Sequence, residues 1–401
     1  MTRAATHLRD LVVARSAADR NGTGLESVIL DDIAGAPPRT EEVTGRLESA
    51  LAPALDRLAA GEVGDPREFR RAREVLLRET QRTMRKLDTD PGSPLDPRDE
   101  MTLEAIVLTD GTRPSLLVRG GSVDPAHPMA GSWHDQLVAT ADRMRSVFAA
   151  VGRVEPRGAT GKNYFGTGWV VDASKGLVLT NWHVLEKIWQ RFSHRIQRVG
   201  TTFRILDDVF IDFVGESNAA TVNRFKVVEA TPSGVDGVSY ARLDAAVLRI
   251  EPTEHSEPEP PQAIPVVASL DGPRGNLASF CVVGFPGPTP FAAGVHEGVD
   301  WTWVNSTLLG SAVGVKRLAP GLAHRPLGSF TGDPREWVFG HDPTTLGGNS
   351  GSPILDWNAL TPNGFGLHFA GASVDTNVAH AIARCADELR ALGVPVQDGP
   401  A

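Results

Sequence analysis

Cysteine is nearly absent from this chain. Cys281 and Cys385 are the two in 401 residues, which leaves room for one disulfide at most and suits a reducing compartment. Cys281 stands in the apolar run Phe280 to Phe285, where a thiol packs as a small hydrophobe, so inert thiols are expected. A membrane-crossing helix is also lacking. The longest uncharged stretch, Gly275 to His296, is broken by Pro286, Pro288 and Pro290. The N-terminus carries Arg3, Arg9 and Asp10 where a secretory signal needs continuous apolar residues, and the expected location is cytoplasmic. No long basic block occurs, and a formal net charge of −9 argues against a dedicated nucleic-acid binder. The eleven histidines show no His-Glu-x-x-His spacing, and no carboxylate and histidine cluster suggests zinc. No metal or cofactor is expected.

What is present begins with Thr344-Thr345-Leu346-Gly347-Gly348-Asn349-Ser350-Gly351-Ser352-Pro353-Ile354. A serine hydroxyl attacks a carbonyl only when it is activated and when the developing oxyanion is met by hydrogen-bond donors. Glycines on either side let backbone amides turn toward that point, and the amides of Gly348 and Ser350 are the candidates. A general base is offered by His183. It sits in the second of two β-rich runs, Gly166 to Val171 and Leu177 to Leu185, which read as a hairpin with the histidine at the far end of its second strand. The acid that would orient the imidazole is assigned to Asp244, which precedes the apolar run Ala245 to Ile250. Asp207, Asp208, Asp212 and Asp236 compete from more polar surroundings.

These blocks resemble the trypsin-like serine peptidases of the chymotrypsin fold, in particular the bacterial glutamyl-endopeptidase-like branch. The resemblance runs from about Tyr164 to Ala381. It rests on Gly166 to Trp169 with Thr180 to Val184, on Leu243 to Leu248, and on Thr344 to Pro353. Gly366-Leu367-His368-Phe369-Ala370-Gly371 looks like the strand that lines the primary specificity pocket. The order His, Asp, Ser separates this family from hydrolases built on other folds. An α/β-hydrolase would also need glycine two residues after the nucleophile, where this chain has Ser352. The resemblance implies two β-barrels with the triad between them, His183 and Asp244 from the first and Ser350 from the second.

It also bears on specificity. A trypsin-type pocket has aspartate six residues before the nucleophile; here Thr344 stands there, which argues against cleavage after Arg or Lys. The glutamyl branch has a hydroxyl residue five before the nucleophile and a histidine on the following strand, and Thr345 and His368 match those positions. In the secreted glutamyl enzymes a free amino terminus also helps bind the substrate acid, a group this domain lacks unless the chain is processed. The expected activity is therefore that of a serine endopeptidase acting on protein or peptide substrates, with a preference for glutamate. The alternative is a catalytically silent peptide-binding or scaffold module controlled by its N-terminal region.

The texture of the chain changes near residue 150. Beyond it, short β-prone runs alternate with Gly, Pro and Asp, the pattern of an all-β barrel domain. The clearest are 203–206, 209–214, 245–250, 263–267, 277–283 and 366–372. Glu251 to Gln262, rich in Pro and Glu, reads as the connection between barrels. Phe285 to Arg335 reads as a long loop able to cover the cleft. Ahead of the change, Glu42 to Ala60 and Pro66 to Lys86 have helical spacing, Leu87 to Arg98 reads as a linker, Leu103 to Leu108 and Pro114 to Val118 as strands, and Trp133 to Val151 as a helix. The expected organisation is a mainly α-helical N-terminal region with linker over 1–98, a short α/β connecting segment over 99–152, and the peptidase domain over 153–390. The N-terminal region is expected to pack against or regulate the catalytic domain, alone or through a regulatory partner.

Overall fold

Alternation of buried and exposed side chains organises the strands that face solvent, whereas those enclosed on both sides are apolar throughout. A computed structural model describes residues 113–399 apart from 160–162, 207, 235–239, 288–294, 297–298, 301–311, 331 and 372–376, together with 78 and 82. The helix expected over Glu42 to Ala60, the linker Leu87 to Arg98 and the strand Leu103 to Leu108 lie outside the described residues. Of the helix expected over Pro66 to Lys86, Arg78 and Arg82 are described, and both are helical.

In chain order the strands are β1 (Leu116–Arg119), β2 (Ser122–Val123), β3 (Val151–Pro156), β4 (Gly166–Asp172), β5 (Leu177–Thr180), β6 (Ile196–Val199) and β7 (Thr202–Ile205). They continue as β8 (Val209–Asp212), β9 (Arg224–Pro232), β10 (Ala246–Glu251), β11 (Val266–Val267), β12 (Phe280–Gly284), β13 (Val295–His296) and β14 (Val299–Asp300). The last are β15 (Arg317–Gly321), β16 (Ala323–Arg325), β17 (Val338–His341), β18 (Pro353–Asp356), β19 (Asn363–Gly371), β20 (Asn377–Ala381) and β21 (Val396–Gln397). Three α-helices accompany them: α1 (His134–Ala150), α2 (Trp182–Phe192) and α3 (Ala386–Ala391).

Strands β10, β5, β4, β3, β8 and β9 pair in that order, and β9 closes on β10 from Ala246 opposite Pro232 to Glu251 opposite Lys226. The closed six-stranded barrel has no exposed edge, and Val170, Val178, Ile211, Phe225 and Leu248, which share one face of the paired strands, fill it. The hairpin β6–β7 extends the sheet beyond β9, where Phe203 opposes Ala230. A second sheet runs β16-β17-β20-β19-β18-β12-β15-β1-β2, with β11 joining β19 and β21. Its core contains Phe280, Val282, Phe339, Ile354 and Phe365. The all-β architecture matches the fold class read from the sequence.

Contacts divide the chain into two compact units. One comprises 114–289, 312–370 and 377–401; the other comprises 1–113, 290–311 and 371–376, and the hairpin β13–β14 falls in it. In the larger unit, β1 runs antiparallel to β15 with Leu116 opposite Leu318, and α1 leads directly into β3. The expected helix over Trp133 to Val151 therefore ends one residue early, because Val151 already pairs with Trp169. The stretch Phe285 to Arg335 also differs from the expected loop: β15 and β16 are sheet strands within it.

Buried charge joins the barrel to β15. Glu155 is fully enclosed between Arg153 at 2.6 Å and Arg224 at 2.8 Å; burial raises its pKa and the Arg153 guanidinium opposes the rise. Arg153 also donates to the Gly314 carbonyl. Lys316 points its ammonium at the Phe148 carbonyl and, at 2.6 Å, at that of Phe213; burial pushes its pKa down to about 8. Such groups are tolerated inside because partners meet them, arginine side chains for Glu155 and backbone carbonyls for Lys316.

Candidate active site

Strand β5 stops at Thr180, and His183 lies in the first turn of α2 rather than at a strand end. The physical reason is the helical spacing of Trp182, Leu185 and Ile188, which with Val184 are buried against the barrel. Residue Asn181 precedes the helix, and its amide donates to the Asp244 carbonyl at 2.8 Å instead of capping.

Asp244 sits just ahead of β10, buried at 3% exposure. Both carboxylate oxygens are engaged by one residue: Oδ1 accepts the His183 backbone N–H at 3.0 Å, and Oδ2 lies 2.6 Å from His183 Nδ1. The carboxylate thus meets one of the unpaired amides that every helix N-terminus presents, where negative charge is favoured. A proton on Nδ1 facing Asp244 leaves Nε2 as the acceptor of the ring. The backbone N–H of Asp244 in turn donates to His380 Nε2 at 3.0 Å. The competing carboxylates are spent elsewhere. Asp212 accepts the amides of Val214, Gly215 and Asn223, while Asp208 pairs with Arg157 and Lys226. Asp207 and Asp236 lie outside the described residues.

Ser350 lies in the loop ahead of β18. Its carbonyl accepts the Thr167 N–H at 2.9 Å, and the Gly351 N–H donates to the His368 carbonyl at 3.0 Å. A Cβ built on Gly166 would meet Val184 Cγ2 at 2.6 Å and the Ser350 carbonyl oxygen at 2.9 Å, so the serine loop and the residue after His183 converge on that glycine. Among the described residues Ser350 Oγ makes no hydrogen bond to the imidazole or to any other group. Catalytic contacts of this kind commonly tighten only when substrate is bound.

The loop carbonyls and amides are used unequally. Gly347 O accepts from Gly287 N at 2.5 Å, Gly348 O from Thr167 Oγ1 at 2.8 Å, and Asn349 O from Ser352 N at 2.8 Å. Among the described residues the N–H groups of Gly348 and Ser350 have no acceptor. Gly348 has φ +99°, and a Cβ there would fall 2.2 Å from Tyr164 Oη and 2.6 Å from the Phe285 carbonyl, so only glycine fits.

Of the three specificity candidates, His368 lies on β19 of the second sheet and Thr344 and Thr345 lie in the loop between β17 and β18. Thr345 Oγ1 donates to Asn377 Oδ1 at 2.7 Å, and Asn377 stands opposite His341 across β17 and β20. His341 Nε2 is 3.1 Å from His368 Nδ1, and both rings are buried. Burial and the neighbouring His183 lower the His368 pKa to about 3, and burial holds His341 well below the usual histidine range. Thr344 joins the same loop one residue before Thr345. The sequence reading singles out neither His341 nor His380; each lies on a short strand buried on both faces, where no alternation sets it apart.

A family model described as the trypsin-like peptidase domain matches residues 166–359. A probable serine protease of Lysobacter enzymogenes is 36% identical over 372 residues, spanning 92% of this chain and 93% of the relative. The chain belongs to the trypsin-like serine peptidases. As a trypsin-like peptidase it is a serine-type endopeptidase, a hydrolase of protein substrates, and its closed barrel and second sheet correspond to the two-barrel chymotrypsin-like architecture. The family match begins at Gly166, the first residue of β4, and includes His183, Asp244 and Ser350. It stops before His368 and His380.

Proposed function

We propose that this peptidase cleaves peptide bonds through an acyl-enzyme formed on Ser350. Ser350 Oγ attacks the scissile carbonyl carbon while His183 Nε2 takes the hydroxyl proton. Asp244 keeps the imidazole in the required tautomer and stabilises its charged form. The amides of Gly348 and Ser350 receive the oxyanion. Collapse of the tetrahedral intermediate breaks the C–N bond, and His183 returns the proton to the departing amine. Water repeats the sequence on the ester and regenerates the hydroxyl. The observation that carries this reading is the double contact of Asp244 with His183, backbone N–H to Oδ1 and ring Nδ1 to Oδ2. The test is Ser350→Ala, which is expected to abolish turnover while leaving the thermal unfolding midpoint near that of wild type.

A preference for glutamate before the scissile bond, as in the glutamyl-endopeptidase-like branch, is the finer part of the proposal. Its support is two hydrogen bonds, Thr345 to Asn377 and His341 to His368, which the pairing of Asn377 opposite His341 across β17 and β20 brings near each other. His341 Nδ1 is buried without a partner among the described residues. A buried lone pair left empty is tolerated better than a buried unpaired N–H. His341 therefore carries its proton on Nε2 and donates to His368 Nδ1, and the proton of His368 sits on Nε2. A neutral His368 in that tautomer is a hydrogen-bond donor for a substrate carboxylate, and the arriving negative charge favours its protonation. Both cysteines are buried free thiols, which supports residence in a reducing compartment such as the cytoplasm.

A further inference from the structure

The two amides proposed to hold the oxyanion belong to different peptide groups, Gly347–Gly348 and Asn349–Ser350. A trans peptide is planar, so fixing its carbonyl oxygen fixes the opposite direction of its N–H. Gly287 N holds the first carbonyl and Ser352 N the second. Between them lies the Gly348–Asn349 peptide, which sets the angle between the two donors. Its N–H is tied locally, Asn349 N donating to the Leu346 carbonyl at 3.0 Å, but Gly347 and Gly348 leave that short turn little stiffness of its own. Its carbonyl is held by one side chain: Thr167 Oγ1 donates to Gly348 O at 2.8 Å.

Thr167 is built for that contact. It stands on β4 of the closed barrel, wholly buried. Phe285 N–H donates to Thr167 Oγ1 at 3.2 Å, which occupies a lone pair and directs the hydroxyl hydrogen toward Gly348 O. Phe285 is itself anchored by Tyr164, whose hydroxyl donates to its carbonyl at 2.6 Å. The Thr167 backbone is tied at both ends, its N–H to Ser350 O at 2.9 Å and its carbonyl to Thr180 Oγ1 at 2.7 Å. One barrel residue therefore grips the serine loop twice, on either side of Asn349.

We propose that Thr167 is a positioning residue for the oxyanion hole: its hydroxyl locks the Gly348–Asn349 peptide so that the amides of Gly348 and Ser350 point at one oxygen. The proposal rests on the acyl-enzyme reading above. It gives Thr167 no contact with substrate, so loss of the hydroxyl acts on the transition state and leaves ground-state binding intact.

The experiment compares wild type, Thr167→Val, Thr167→Ser and Ser350→Ala in full-length protein. Two quantities are read: kcat and KM on a peptide substrate, and inhibition by a peptidyl aldehyde, whose adduct with serine places an oxyanion in the hole. Losing a whole donor costs about a hundred- to a thousand-fold, so a misaimed pair is expected to cost about ten- to a hundred-fold in kcat. KM should stay within about twofold, aldehyde affinity should fall in step with kcat, and Thr167→Ser should restore both. A valine variant with unchanged kcat and aldehyde affinity overturns the proposal, as does a loss confined to KM or one that serine fails to rescue. If the valine variant does not fold, Thr167→Ala removes the same hydroxyl without the added methyl and carries the same expectations. Hydrolysis retained by Ser350→Ala would instead overturn the acyl-enzyme reading itself.

Discussion

His380 Nε2 accepts the backbone N–H of Asp244 at 3.0 Å, so a strand of the second sheet holds the residue that holds His183. The contact requires a neutral ring, and burial keeps it neutral by lowering the His380 pKa to about 4 against the raising effect of Asp244. Phe369 stacks on the ring at 4.2 Å and 13°, fixing its plane. His380→Leu is expected to lower kcat and to cost about 1–3 kcal/mol of stability, because the Asp244 amide is left buried and unpaired. His380→Gln keeps an acceptor and should retain most of the activity. Kinetics with urea unfolding of both variants checks this; equal losses would show that the acceptor is not what matters.

Three buried neutral histidines make the protein sensitive to acid. His341, His368 and His380 all have native pKa values below the ordinary value of about 6.5. Below that pH the unfolded chain takes up protons that the native rings refuse. Their contribution is complete above about pH 6.5 and is lost as pH falls toward about 4 for His380 and about 3 for His368. Each can add a slope of about 1.4 kcal/mol per pH unit. Glu155, raised by burial, works in the opposite direction, so the comparison that isolates the effect is wild type against His380→Gln. Unfolding free energy measured from pH 6.5 to 4.5 should fall less steeply in the variant; parallel curves would contradict the assignment.

Cleavage preference is expected to depend on the histidine pair. His368→Ala should reduce kcat/KM for substrates with glutamate before the scissile bond by at least about tenfold relative to those with leucine. His341→Phe removes the hydrogen bond that orients His368 and should weaken the same discrimination by a smaller factor. Paired peptides differing at that one position provide the measurement. An unchanged ratio in His368→Ala would refute the glutamate reading.

The contact between His183 and Asp244 was legible because it calls for particular residue types, an acid ahead of an apolar run and a histidine beside a strand, and the glycines around Ser350 mark the proposed reactive loop in the same way. Local geometry was less legible. Trp182 to Leu185 reads as a continuation of β5, yet its i, i+3 spacing with Ile188 builds α2. Strand β15 carries Arg317 and Pro320 and follows Lys316, so it resembles loop; its charges are satisfied by carbonyls distant in sequence, such as Phe148 and Phe213. The ties from Thr167 to the serine loop and from His380 to Asp244 span more than a hundred residues, that from Gly287 to Gly347 spans 60, and no local pattern announces them.

The most direct test of the account incubates purified wild type and Ser350→Ala with an unfolded protein mixture and maps every new terminus by mass spectrometry. New termini with wild type alone, concentrated after glutamate, are the predicted result. Equal cleavage by both proteins would contradict the assignment of Ser350 as nucleophile.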